Sequence, residues 1–169
     1  IRHILNTSGI FNYSEYQFEM VRLGIGIYGV GNSEDEQNSL ENVSTLKSII
    51  SQIRTVEANE SIGYSRKFMV KKQMRIATIP IGYADGIRRA WGNEKGFVTI
   101  NNQEATILGN VCMDMLMVDV THINCNERDE VIIFGENPHV TEIAKVCNTI
   151  PYEILTSISQ RVKRIFYKN

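Results

Sequence analysis

A tyrosine set among small residues, Ser61-Ile62-Gly63-Tyr64-Ser65, could move a proton, because a phenol is a general acid and its phenolate a base. Taken alone it reads more simply as a packed or surface tyrosine. Asp85, in Ile81-Gly82-Tyr83-Ala84-Asp85-Gly86, is first a turn former, with Gly86 supplying a positive φ. Asp114, beside Met113, reads as a carboxylate satisfying a backbone N–H. The run Gly24-Ile25-Gly26-Ile27-Tyr28-Gly29 suits a backbone that approaches a ligand closely. It is not a GxGxxG followed by a helix, so a dinucleotide site is weakly supported. Three histidines (His3, His122, His139) lack HxxxH spacing and three cysteines (Cys112, Cys125, Cys147) lack CxxC spacing, so no metal site is expected. The basic end, Arg161, Lys163, Arg164 and Lys168, reads as a solvated strand face.

The elements that must position these groups fall into two parts. Residues 1–30 are apolar with polar interruptions: a short helical turn is expected over Glu15–Met20, then a strand over Gly24–Val30. The polar, acidic stretch Gly31–Asn42 reads as a linker, which places a domain boundary near residue 42. Beyond it, strands are predicted at Ser48–Val56, Met74–Ile81, Met113–Val120 and Val131–Phe134. A hairpin is predicted from Phe97–Ile100 and Ala105–Leu108 around Asn101–Glu104. Two late helices follow, one capped by Thr141 and running to Cys147, the other with Pro151 in its first turn and Ile154, Leu155 and Ile158 as its stripe. Arg161–Tyr167 closes as a basic strand. Many short strands with regular turns suggest a small closed barrel or a sandwich.

Composition narrows the function. The 169 residues carry 18 Lys+Arg against 19 Asp+Glu, a net charge of −1, which argues against a nucleic-acid or membrane-surface binder. With 43% hydrophobic and 22% charged residues the chain is ordinary globular protein. No apolar run approaches the ~20 residues of a membrane span. An odd number of cysteines fits reduced thiols in the cytoplasm.

Read together and in order, the segments resemble the pyridoxal-phosphate-dependent alanine racemases. The resemblance runs through Arg2-His3-Ile4-Leu5-Asn6-Thr7, Val21-Arg22-Leu23-Gly24-Ile25-Gly26-Ile27-Tyr28-Gly29, Gly63-Tyr64-Ser65, Ile81–Gly86, Val111-Cys112-Met113-Asp114 and Arg161-Val162-Lys163-Arg164-Ile165-Phe166. It implies the C-terminal portion of such an enzyme. Residues 1–42 would be the last strands of a cofactor-holding (β/α)8 barrel and its exit linker. Residues 43–169 would form a mainly β domain, a small closed Greek-key-type barrel with two peripheral helices. The Schiff-base lysine of the family lies earlier in that barrel, so the fragment alone is expected to be inactive.

The resemblance also assigns residues. Asn6 and Thr7 match an HxxN[ST] element that holds the cofactor phosphate, with the backbone amides of Gly24 and Ile25 reaching the same group. Arg22 matches the arginine facing the pyridine nitrogen, and a guanidinium, which keeps its proton, leaves that nitrogen unprotonated. His3 matches the histidine linking this arginine to the catalytic tyrosine. Tyr64 matches that tyrosine, the base for one face of the substrate α-carbon, donated across a head-to-tail homodimer. Met113, through its backbone amide, matches a holder of the substrate carboxylate, and Tyr83 a tyrosine lining the access route. Three positions depart from the pattern. Gln160 stands where many members have a tyrosine on the phosphate, Lys163 replaces a proline, and Asn110 sits where an arginine often lines the access route. The expected activity is interconversion of L- and D-alanine for cell-wall peptidoglycan, in the cytoplasm, with pyridoxal 5′-phosphate and without metal, nucleic acid or membrane. Gln160 keeps open a serine or broad amino-acid racemase. A non-catalytic β-barrel assembly module is the alternative if the chain is complete.

Overall fold

The structure is a computed structural model describing residues 1–167; Lys168, placed above in the basic end, lies outside the described residues. The chain divides into two compact units, Ile1–Thr45 and Leu46–Asn169.

The second unit is mainly β. Its strands are β1 (Leu46–Ile49), β2 (Gln52–Val56), β3 (Ser61–Ile62), β4 (Phe68–Met69), β5 (Met74–Ile79), β6 (Phe97–Ile100), β7 (Gln103–Leu108), β8 (Leu116–Asp119) and β9 (Glu130–Phe134). Seven of them form one antiparallel sheet in the order β1-β9-β6-β7-β8-β5-β2, and β3 pairs with β4 as a separate hairpin. The two edges of the curled sheet are consecutive pieces of chain. At Ile50 and Ser51 the backbone passes from one neighbour to the other: Ile50 N–H donates to the Asp129 carbonyl (3.0 Å), and Ser51 N–H to the Thr78 carbonyl (2.9 Å). One bent segment, 46–56, thus borders both β9 and β5 and draws the sheet into a ring. The sheet encloses β-branched side chains with essentially no exposure, among them Ile50, Ile76, Ile100, Ile107 and Ile133. Such side chains fit a pleated, buried surface well.

The β6–β7 turn is tighter than predicted. Ile100 pairs with Gln103, so only Asn101 and Asn102 form the loop, both with positive φ (49° and 61°). Two left-handed residues match the twist of the flanking strands, and asparagine tolerates that conformation. Helix α3 (Val140–Val146) is capped by His139, not Thr141: the His139 ring accepts the Thr141 N–H, and burial holds its pKa below the ordinary histidine value, with Glu142 opposing. Helix α4 (Pro151–Ser157) has Pro151 at its start, where the missing N–H costs nothing, and buries Ile154. The predicted strand Arg161–Tyr167 is absent. The Arg164 guanidinium donates to the carbonyls of Ile158, Ser159 and Val162, each at 2.9 Å, and so holds this stretch in a turn.

The first unit contains helical segments and no strand. These are α1 (Thr7–Asn12), 3₁₀ turns at Ser14–Tyr16 and Ile25–Tyr28, and α2 (Glu34–Asn38). The expected strand Gly24–Val30 is therefore a helical turn, ended by Gly29 at φ 72°. The extended pieces around Leu5 and Arg22 share one backbone–backbone bond, Arg22 N–H to the Leu5 carbonyl (2.9 Å), which makes no ladder. The linker stretch holds α2, capped by Ser33 and started by Glu34, Asp35 and Glu36, acids that favour a helix N-terminus.

Glu36, 4% exposed, closes this unit. Its carboxylate accepts from the Asn32 N–H (2.9 Å), the Ser8 hydroxyl (3.1 Å) and the Asn12 amide (2.9 Å). The Asn32 N–H leads in lowering its pKa, burial opposes, and Ser8 and Asn12 add to the lowering. A carboxyl with a lowered folded pKa contributes stability above its unfolded pKa and loses it as pH falls through the folded value. Hydrogen exchange over 7–12 and 32–38 should therefore accelerate as pH drops below the ordinary glutamate range, after correction for intrinsic exchange. In Glu36→Gln this dependence should vanish and protection at neutral pH should fall, because the amide presents a donor to donors. Unchanged acid sensitivity in that variant would assign it to another carboxyl.

Candidate active site

Within the first unit, Asn6 caps α1, its carboxamide oxygen accepting the Gly9 N–H (2.9 Å). Thr7 is 2% exposed, and its hydroxyl oxygen accepts the N–H of Gly24 (3.0 Å) and of Gly26 (3.3 Å). The Gly24 amide, expected to face a phosphate, is thus turned onto Thr7. The Thr7 hydroxyl proton and the Asn6 amide hydrogens stay available, and Ile25 N–H opens a helical turn, where N–H groups have no intrahelical partner. A side chain at Gly24 would meet only Thr7 Oγ1, at 3.6 Å, so the surface beside it is open. Arg22 and His3 are exposed; the Arg22 guanidinium donates to the Ile4 carbonyl (3.0 Å). Among the described residues His3 and Arg22 are not hydrogen-bonded to each other.

In the second unit, one loop, residues 109–115, gathers the other predicted residues. Tyr64 lies in the turn of the β3–β4 hairpin and is 73% exposed. The hairpin is anchored by Ile62 and Phe68, which pack with Val56, Leu108, Cys112 and Met117. Gly63, Ser65 and Arg66 around the tyrosine all have positive φ (76°, 61° and 51°). Such backbone in non-glycine residues costs about 1–3 kcal/mol each and persists where the surroundings enforce it. Part of that enforcement is Asn110, whose side-chain amide donates to the Tyr64 carbonyl (3.1 Å).

The same loop receives the Gly82–Asp85 turn. Tyr83 N–H donates to the Cys112 carbonyl and Ala84 N–H to the Met113 carbonyl, both at 2.9 Å. Gly82 is buried so closely there that an added Cβ would collide with those two carbonyl oxygens. Backbone contact therefore fixes Tyr83 (43% exposed) beside Met113 (54% exposed). The third tie is Arg161, whose Nε donates to Asp85 Oδ1 (2.7 Å) and whose Nη2 donates to Asp114 Oδ1 (2.6 Å). Asp85, and after it Asp114, hold this guanidinium still more firmly in its charged form. Asp85 Oδ2 accepts the Gly82 N–H (2.8 Å), so one carboxylate closes its own turn and docks the C-terminal stretch. Gln160 is exposed in the turn leading to Arg161.

Sequence reading missed the clamp. Asp85 reads as a turn former, Asp114 as a carboxylate on a backbone N–H and Arg161 as a solvated cation, because these partners lie 76 and 47 residues apart. Only the adjacency of each to an already singled-out motif pointed to it. Among the described residues no group of three or more His, Cys, Asp or Glu could hold a metal, and no helix is long and apolar enough to cross a membrane.

The family model for the alanine racemase C-terminal domain matches residues 43–166. The chain belongs to the alanine racemase family. An alanine racemase of Helicobacter pylori (strain P12) is 40% identical over 177 residues, covering 98% of this chain and 47% of the relative. That of Clostridium tetani is 38% identical, covering 100% and 46%. The chain thus spans about half the length of the curated relatives it matches. Among solved structures, alanine racemase of Clostridium difficile 630 in complex with cycloserine superposes with a TM-score of 0.88 at 38% identity, over 95% of this chain and 44% of that one. The Bartonella henselae enzyme with covalently bound pyridoxal phosphate superposes with 0.89 at 35%, over 98% and 46%. The mainly β architecture is thus that of alanine racemase C-terminal domains.

Proposed function

We propose that this chain is the C-terminal portion of a pyridoxal-phosphate-dependent racemase that interconverts L- and D-alanine, working as a homodimer with Tyr64 as one of two proton-transfer groups. The observation that carries this reading is the 109–115 loop. It holds the turns of Tyr64 and Tyr83 together with Met113 and leaves all three side chains solvent-accessible on one scaffold. Tyr64 takes the α-proton of one enantiomer at its phenolic oxygen and returns a proton to the other. Met113 offers its backbone amide to the substrate carboxylate, and Tyr83 narrows the approach.

The residues of the first unit fit a phosphorylated cofactor. Thr7 Oγ–H, the Asn6 amide and Ile25 N–H are donors beside a glycine that leaves room for an anion. Pyridoxal phosphate, when bound, withdraws electrons from the amino acid and so acidifies its α-carbon. Arg22 would offer a guanidinium N–H to the ring nitrogen of such a cofactor, and His3, three residues before Asn6, would stand on the same stretch. The setting for this activity is the bacterial cytoplasm, where D-alanine feeds cell-wall synthesis.

Gln160 favours a second reading, in which serine is also accepted. A shorter, polar group in place of tyrosine leaves room for a hydroxymethyl side chain. One experiment separates the two readings: interconversion of alanine and of serine by the full-length enzyme with saturating cofactor, followed by circular dichroism, in the parent and in Gln160→Tyr. Alanine turnover with a serine-to-alanine ratio of kcat/KM that falls in the variant is expected. Absence of alanine turnover overturns the main reading, and equal ratios remove Gln160 from specificity.

A further inference from the structure

We propose that Asn110 is a positioning residue for Tyr64, setting the phenol's place through the backbone of its turn; this rests on the reading of Tyr64 as a proton-transfer group. The Asn110 carboxamide is used at both ends. Its nitrogen donates to the Tyr64 carbonyl (3.1 Å), and its oxygen accepts from the Asn93 side-chain amide (3.1 Å). Asn93 is itself fixed, with φ at 57° and its N–H donating to the Gly109 carbonyl (2.6 Å). The clip therefore runs from the 92–95 loop through Asn110 to the tyrosine and approaches the hairpin tip from outside the hairpin.

The tip has need of such a clip. The two-residue strands β3 and β4 pair only as Ser61 with Met69 and Ile62 with Phe68, leaving five residues, 63–67, between the last pair. Three of those five have positive φ, two of them non-glycine, and Tyr64 stands in their midst. Ile62 and Phe68 anchor the base of the hairpin in the core, and Met117 of that core lies against Gly63 at the start of the tip. Gly63 packs on the Asn110 backbone, where an added Cβ would lie 3.7 Å from its nitrogen, so the asparagine sits directly against the turn it ties. A side-chain donor on a backbone carbonyl constrains the main chain and leaves the phenol free to meet a substrate. An exposed general base needs that combination, because small misplacements of a catalytic group are costly.

Asn110→Asp is the discriminating substitution. It preserves size and the acceptor for Asn93, removes the donor, and sets a carboxylate against the Tyr64 carbonyl. Asn93→Ala releases the clip from its other end. Both are made in the full-length enzyme with cofactor and compared with Tyr64→Phe. Hydrogen exchange of peptides covering 62–69 is one readout, with peptides over 97–108 as the control for the fold, and kcat and KM for alanine are the other. In Asn110→Asp the tip should lose protection while 97–108 keeps it. Its kcat should drop about ten- to a hundred-fold at nearly constant KM, with a displaced pH–rate profile. Asn93→Ala should show a smaller change in the same direction. Parent-like exchange at 62–69 and parent-like kcat in Asn110→Asp, beside a large loss in Tyr64→Phe, overturn the proposal. Loss of protection over 97–108 as well assigns Asn110 to general stability and overturns it too. Full activity in Tyr64→Phe instead overturns the reading of Tyr64, and the exchange arm then decides by itself whether Asn110 holds the turn.

Discussion

In D2O, the full-length enzyme carrying Tyr64→Phe should exchange the α-proton of L-alanine slower by about 10²–10⁴-fold, the usual contribution of a general base. Exchange from D-alanine, with retention, should persist. The asymmetry follows from the two-base chemistry proposed above, in which each base would serve one face of the α-carbon and Tyr64, as the family resemblance implies, the face presented by the L enantiomer. Phenylalanine keeps the ring and removes only the oxygen that carries the proton. The variant should still retain cofactor, since the residues proposed to hold it, Asn6, Thr7 and Ile25, belong to the other unit. NMR of each enantiomer over time reads both rates. Equal, parent-like exchange from both enantiomers would show that Tyr64 carries no proton.

Gly82→Ala should be strongly disruptive to the second unit. At this position the obstacle is space, since φ is −150°, ordinary extended backbone. The new Cβ would run into the carbonyl oxygens of Cys112 and Met113, the same two atoms that receive the N–H groups of Tyr83 and Ala84. Backbone cannot rotate aside as a side-chain end can, so the 82–85 turn and the 109–115 loop must part, with loss of both bonds. A cost of about 3 kcal/mol follows from overpacking of this kind, a fall of roughly 6–12 °C in the unfolding midpoint for a chain of this size. Gly24→Ala is the contrast: its Cβ meets a single atom at ordinary van der Waals distance and should leave the midpoint nearly unchanged. A Gly82→Ala protein with the parent's midpoint would mean that the two loops do not depend on their mutual backbone contact.

What the sequence made legible was local. The hairpin between Phe97–Ile100 and Ala105–Leu108, the Pro151 helix start and the apolar runs Met74–Ile81 and Val131–Phe134 declare themselves through residues a few positions apart, and the structure holds them as hairpin, helix and strands, with a tighter turn than expected. Gly24–Tyr28 misled because an apolar run of strand-like composition is short enough to coil when a single hydroxyl, that of Thr7, collects its amides. The late strand failed for a similar reason: Arg164 bonds carbonyls of its own neighbourhood and leaves none of the expected ladder. Of the candidate site, the motif residues are assigned by resemblance. The Arg161 clamp and the Asn110 clip were not, because each is a bond between side chains and distant chain that no spacing rule encodes.

The bent segment 46–56 has a consequence for how the second unit assembles. Its second half finds β5 within about twenty residues of chain, whereas its first half must wait for Glu130–Phe134. Loop-closure entropy rises with that separation, so the β2–β5 pair can form early and the seam with β9 is the last and slowest to zip. During synthesis the seam stays open until almost the whole domain has left the ribosome, exposing an unpaired strand to other nascent chains. Once it shuts, the edges of the curled sheet are consecutive stretches of one bent segment, only four and five residues long, and edges so short are a poor template for aggregation.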